Sequence, residues 1–201
     1  MKKFELTSEF VTFLGKKLFR IKALISFGNV KEGELGGYVE KEENLSNDGN
    51  AWVYGNAWVY GNAWVYGNAR VYGNARVYGN AWVSGDAEVF GDARVYGNAW
   101  VYGNAWVYGN ARVSGDAEVF GDAEVFGDAD YATVHGFGSE YRTTTFFRTK
   151  AGDIGVRCGC FYGTLEEFRA KVKETHGETK TAKEYLMVAD LMEFRFSKEE
   201  A

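Results

Sequence analysis

Between Ala51 and Asp128 one pattern repeats thirteen times without a break: Ala, a variable residue, Val, a second variable residue, Gly, and Asn or Asp. Ala and Val stand two apart, so on a strand they point to the same side. They are the only constant apolar positions and must face inward, which turns the variable positions outward. Gly with Asn or Asp is expected to turn a corner, because both reach left-handed backbone angles cheaply. The small Ala fits where the interior narrows at a corner, and Val fills the middle of a side. A period of six is neither helical nor a plain alternation. It belongs to a chain that makes a short strand, turns and repeats, which predicts a solenoid. Such a molecule offers long regular faces rather than one deep pocket.

The pattern changes on both flanks. Residues 1–50 read as a β-rich N-terminal cap: Phe19, Ile21, Ala23 and Ile25 alternate with Arg20, Lys22 and Leu24, a strand signature. Gly36-Gly37 and Ser46-Asn47-Asp48-Gly49-Asn50 punctuate the approach to the repeats. Residues 51–135 form the solenoid, and 136–201 a C-terminal ββαα cap. There, Thr143–Phe147 and Ile154–Phe161 read as two strands around the turn Lys150-Ala151-Gly152-Asp153. Thr164 with Glu167 makes a capping box that opens a helix with Leu165, Phe168 and Val172 on one face, and His176-Gly177 ends it. Thr181 with Glu184 predicts a second box, followed by the stripe Ala182, Tyr185, Leu186, Ala189 and Met192. Both stripes are expected to pack on the solenoid or on the hairpin.

Composition narrows the picture. The 201 residues contain no proline and 26 glycines. Proline removes a ladder donor and glycine serves corners, so both figures suit stacked strands. The net charge of -5 gives no basic signal for extended nucleic acid or an anionic membrane. Met1 to Leu6 carry charge but no apolar stretch, so no signal peptide is expected. No run approaches the roughly 20 apolar residues of a membrane span. Cys158 and Cys160 share one side of a strand, a poor geometry for a mutual disulfide. These points predict a cytoplasmic protein.

The recurrent pairs Val53/Ala57, Val59/Ala63 and Val65/Ala69 resemble the hexapeptide-repeat, left-handed β-helix superfamily, which sets an aliphatic residue four positions before a small one. The flanking runs Glu34-Leu35-Gly36-Gly37-Tyr38-Val39-Glu40, Cys158-Gly159-Cys160-Phe161-Tyr162-Gly163-Thr164 and Lys173-Glu174-Thr175-His176-Gly177 look like hexapeptide-repeat proteins of bacteriophages and prophages of gut Firmicutes. The resemblance implies a mainly β fold, a triangular left-handed parallel β-helix with three hexapeptides per turn. It also implies a phage origin and a homo-oligomer, most often a trimer.

Three hexads per turn put side chains eighteen residues apart at about 4.8 Å, the inter-strand spacing. The outward positions then sort into three faces. One carries Trp64, Trp82 and Trp100, then Glu118. A second carries Trp58, Arg76, Arg94 and Arg112, with Tyr60, Tyr78 and Tyr96 beside them. The third is mixed: Trp52, Arg70, Glu88, Trp106 and Glu124. Stacked arginines repel, so the Arg column invites an anion or an acidic partner; otherwise it is a solvated or interface face. Seventeen of the twenty-six outward positions are aromatic, more than a monomer ordinarily exposes. Trp64, Trp82 and Trp100 are therefore interface candidates. The segment Ser84-Gly85-Asp86-Ala87-Glu88-Val89-Phe90 recurs from Ser114 to Phe120, so copying has shaped the array.

Catalytic chemistry is sparse. Acyltransferases of the resembled superfamily use a histidine base, and the histidines here are His135 and His176. His135, just past the last repeat, is the candidate base of the runner-up enzyme reading, and otherwise a turn residue. His176 reads as a helix-end residue that favours the dipole. Cys158, Cys160 and one histidine fall short of a four-ligand zinc site and read as small buried thiols. Asp86, Asp92, Asp116, Asp122 and Asp128 read as corner residues in place of Asn. No metal or cofactor is expected. The sequence thus points to a non-enzymatic, phage-type β-solenoid that binds or scaffolds through its outer faces. In its sharper form Arg76, Arg94, Arg112, Tyr60, Tyr78 and Tyr96 hold an anionic ligand such as a nucleotide signal, sequestered as an antagonist of host defence would do. The alternatives are an acyltransferase and a structural phage component.

Overall fold

The computed structural model describes residues 2–197. In chain order the elements are β1 (Phe4–Phe13), β2 (Lys16–Ala23), β3 (Leu35–Val39) and a single 3-10 turn at Glu42–Asn44. Thirteen two-residue strands follow, one per hexad, from β4 (Trp52–Val53) to β16 (Glu124–Val125). Last come β17 (Tyr131–Val134), β18 (Thr144–Arg148), β19 (Ile154–Cys158), β20 (Phe161–Thr164), α1 (Leu165–His176) and α2 (Lys180–Phe196).

The short strands pair in parallel with partners eighteen residues away, for example Arg76↔Arg94↔Arg112 and Trp64↔Trp82↔Trp100. Three ladders result, so three hexads complete one turn. Each side of a turn is tied by backbone bonds to the next coil. Arg76 N–H donates to Ala93 (2.9 Å), Tyr78 to Val95 (3.0 Å) and Asn80 to Gly97 (2.8 Å). The thirteen Val side chains are fully buried and form one continuous core with the Ala column.

The corners work differently from the expectation. From Gly55 to Gly121 the hexad glycines take φ between 57° and 73°, while no Asn or Asp has a positive φ among the described residues. The Asn and Asp side chains stack instead: Asn62 donates to Asn80 (3.2 Å), Asn80 to Asn98 (3.0 Å) and Asn98 to Asp116 (2.9 Å). Glycine makes the bend, and the amide ladder ties one bend to the next.

The N-terminal segment adds a strand that periodicity had missed. β1 pairs antiparallel with β2, β2 with β3, and β3 joins the solenoid in parallel through Tyr38↔Trp58. This segment buries Trp52, expected on an outer face: Phe4 and Phe27 pack edge-on to its ring at 6.3 and 5.4 Å. Lys3 is buried beside it and donates to Ala51 O at 2.9 Å. At the other end Thr145 Oγ1 accepts from Glu118 N–H (3.0 Å), and Phe147 closes the core.

The second core lies between the antiparallel sheet β17-β18-β19-β20 and both helices. The helix stripes thus pack on the hairpin sheet. The Thr164–Glu167 capping box forms. The second box does not: α2 starts two residues earlier than the sequence suggests, with Thr179 Oγ1 accepting from Ala182 N–H at 3.3 Å. The run expected as one strand, Ile154–Phe161, breaks at Gly159, whose φ is 58°. Cys160 is consequently exposed in the turn and not a buried strand thiol, while Cys158 is half-buried.

Candidate binding face and its cavities

The Arg and Tyr residues singled out from the repeat lie in one face and in register. Tyr60, Tyr78 and Tyr96 stack with centroids 5.0 Å apart and planes within 2°. Burial raises the Tyr60 and Tyr78 hydroxyl pKa values, and the neighbouring phenols add to this; Arg76 and Arg94 pull the other way. Tyr60 and Tyr78 therefore stay neutral beside the cations.

The Arg column divides into two parts. The Arg76 guanidinium lies over Trp58 at 4.3 Å and near Phe13 at 5.3 Å. Phe13 itself sits on Trp58 (5.1 Å) and beside Tyr60 (5.9 Å), so β1 covers the lower end of the face. Arg94 and Arg112 are exposed. Among the described residues no carboxylate stands within ion-pair distance of Arg76, Arg94 or Arg112. The mixed face shows the contrast. There Arg70 is neutralised by Glu88 at 2.7 Å, and Glu88 also accepts from Tyr72 at 2.7 Å. One Arg column is left with uncompensated charge, and the other cation is paired.

The upper end of the Arg–Tyr face opens into a cavity of about 660 Å³. Its walls include Tyr96, Arg112, Ser114, Asp128, Tyr131 and Arg195. Ser114 takes the position where the tyrosine column would continue, so the upper face of Tyr96 carries no further ring from the repeat. Tyr131 Oη donates to Arg112 O at 2.6 Å, and Asp128 accepts from Arg112 N–H at 2.8 Å. Both bonds fix the Arg112 backbone and leave its side chain free. Sequence reading gave Asp128 only a corner role and missed Tyr131 and Arg195, because β17 and helix α2 reach this place only through tertiary packing. Ser114 was read only as the start of a recurring segment, although its place in the hexad marks the end of the tyrosine column.

On the tryptophan face, Trp64 meets Trp82 edge-on at 5.9 Å, and Trp82 stacks on Trp100 at 5.0 Å and 7°. Glu118, at the top of that column, is held by Arg157 Nε at 2.7 Å. His135 is exposed beyond β17, its Nδ1 3.0 Å from Thr143 Oγ1. His176 closes α1 and lies 5.7 Å from the Tyr185 ring. Thr144 Oγ1 donates to Cys158 Sγ at 3.2 Å. Among the described residues no three His, Cys, Asp or Glu side chains are grouped to hold a metal ion. Among the described residues no helix is long and apolar enough to cross a membrane.

A family model matches part of the repeat. Residues 51–67, 69–85, 87–103, 93–109 and 105–121 match the family described as YdcK Beta solenoid repeat. No curated protein matches the chain. The matched windows fall on the hexads that build the three parallel ladders, and the chain is a β-solenoid repeat protein.

Proposed function

We propose that the solenoid is a non-enzymatic binding protein whose ligand carries both an anionic group and a flat ring, as a nucleotide does. The observation that carries this reading is the in-register column Arg76, Arg94, Arg112 without a carboxylate partner, set beside a parallel tyrosine stack. An uncompensated guanidinium column is self-repelling, and a polyanion relieves it through charge-assisted bonds. The ligand's ring stacks on Tyr96, where the column ends at Ser114, and its phosphate meets Arg94, Arg112 and Arg195. Stacking on an aromatic platform contributes about 1–3 kcal/mol per base.

The wider reading takes the coil as triangular and left-handed and its flanking regions as end caps. The phage-type resemblance supports a sequestering role in the host cytoplasm. A trimer, expected from Trp64, Trp82 and Trp100 to close on the tryptophan face, would instead draw on Trp106 and Phe126 of the mixed face, which are 37% and 59% exposed.

Equilibrium dialysis against AMP, GMP, CMP and UMP tests the reading, with ribose 5-phosphate as the ring-free control. Saturable nucleotide retention is expected, and Arg94→Ala or Arg112→Ala should weaken it about tenfold or more, the scale of one lost charge-assisted bond. No retention, or retention indifferent to both substitutions, would sink the proposal.

A further inference from the structure

Two hexads lack a ring at their second outward position, and they are the two that carry Ser84 and Ser114. Each serine borders a cavity. The cavity at Ser114 belongs to the binding face described above. The one at Ser84 lies on the tryptophan face, measures about 260 Å³ and is lined by Tyr66, Trp82, Ser84, Trp100 and Tyr102.

This cavity is a missing rung. In the intact columns successive rings stand 4.8–5.0 Å apart, as in Tyr60–Tyr78–Tyr96 and Tyr72–Phe90–Tyr108. Ser84 occupies the level between Tyr66 and Tyr102, so those two positions are separated by two strand spacings, about 10 Å. A ring placed midway would lie about 5 Å from each level, within the stacking range for aromatic centroids. Tyr102 is already stacked on Phe120 at 4.7 Å and 12°, and Phe120 meets Tyr162 at 3.9 Å. The lower side of Tyr102 is therefore a rigid, open platform. Tyr66 lacks an upper neighbour and leaves the regular column: it stacks on Trp64 at 4.2 Å and stands 83° from Trp82. Trp82 and Trp100 stack on each other and line the side of the gap.

The lining contains no charged side chain. Ser84, 8% exposed, places a small hydroxyl at the back of the slot. We propose that the gap at Ser84 is a second binding site, which takes one uncharged planar aromatic ring of a small molecule as the missing rung of the column.

The test uses the full chain and the phosphate-free probes indole and adenosine, with cyclohexanol as a non-planar control. The readout is the side-chain N–H resonances of Trp82 and Trp100, assigned through Trp82→Phe and Trp100→Phe. Both planar probes should shift these resonances saturably, and cyclohexanol should not. Ser84→Tyr supplies the absent ring with a residue the repeat already uses at this position. It should raise the midpoint of thermal unfolding and weaken the probes at least tenfold. Ser114→Tyr should leave them within twofold, while abolishing nucleotide retention at Tyr96, so each site can fail without the other. Tyr102→Ser, which removes the platform, should also abolish probe binding. No shift at Trp82 and Trp100, shifts equal for cyclohexanol, or binding unchanged in both Ser84→Tyr and Tyr102→Ser would overturn the assignment.

Discussion

Glycine at each hexad corner meets two demands, and they separate by position. A left-handed φ costs a residue with a Cβ about 1–2 kcal/mol wherever it occurs. At Gly103 a Cβ would also stand 2.8 Å from Gly121 N of the next coil, whereas at Gly115 it would meet nothing within 4 Å. Gly115→Ala should therefore cost about 1–2 kcal/mol in chemical denaturation, and Gly103→Ala clearly more. Equal costs would mean that the coil spacing is not what selects glycine. The sequence marked these corners correctly, but it credited Asn and Asp with a left-handed backbone that they do not adopt. Their role is the side-chain ladder, which requires knowing which corners stack. Lys3 gives a pH test. Burial lowers its pKa to about 8 against an ordinary 10.5, with Asp48 pulling back. Between those values the unfolded chain holds the proton and the folded chain does not, so stability rises with pH. The folding free energy of wild type relative to Lys3→Met should grow by about 2 kcal/mol at most from pH 8 to pH 10. A flat difference would place the ammonium in water.

At the scale of elements, two-residue strands have no stability of their own. Each depends on the coil above and below, and this is why the hexad period was enough to predict them. The flanking strands were harder to read. β1 (Phe4–Phe13) lacks clean alternation because it shifts register between Leu6 and Phe10. β17 (Tyr131–Val134) is too short to stand out before its pairing with β18 is known. Trp52 shows the limit of pattern reading: its position in the hexad is outward, and only the arrival of Phe4 and Phe27 makes it core. Truncating this fully buried ring in Trp52→Ala should cost about 3–5 kcal/mol. Trp52→Phe should cost much less, since Trp52 Nε1 has no hydrogen-bond partner to lose. A Phe variant as damaged as the Ala variant would show that the indole nitrogen matters after all.

Across the whole molecule, the eighteen-residue register turns a monotonous sequence into three chemically different sides. That register was legible, because the ladders pair the residues that three hexads per turn would pair. What lies at the ends of the ladders was not, because it depends on how the flanks fold back: Phe13 over Trp58, Tyr162 over Phe120, and Arg195 lining one cavity with Arg112. The proposed trimer has a mass test. Light scattering should report three chains of 22.5 kDa, and Trp106→Glu should release monomers; a monomeric wild type would dismiss the trimer. The binding account is tested most directly by a crystal structure of the protein grown with AMP. The adenine ring is expected on the upper face of Tyr96 and the phosphate among Arg94, Arg112 and Arg195. A crystal without nucleotide at this face, or with AMP bound only elsewhere, would contradict it.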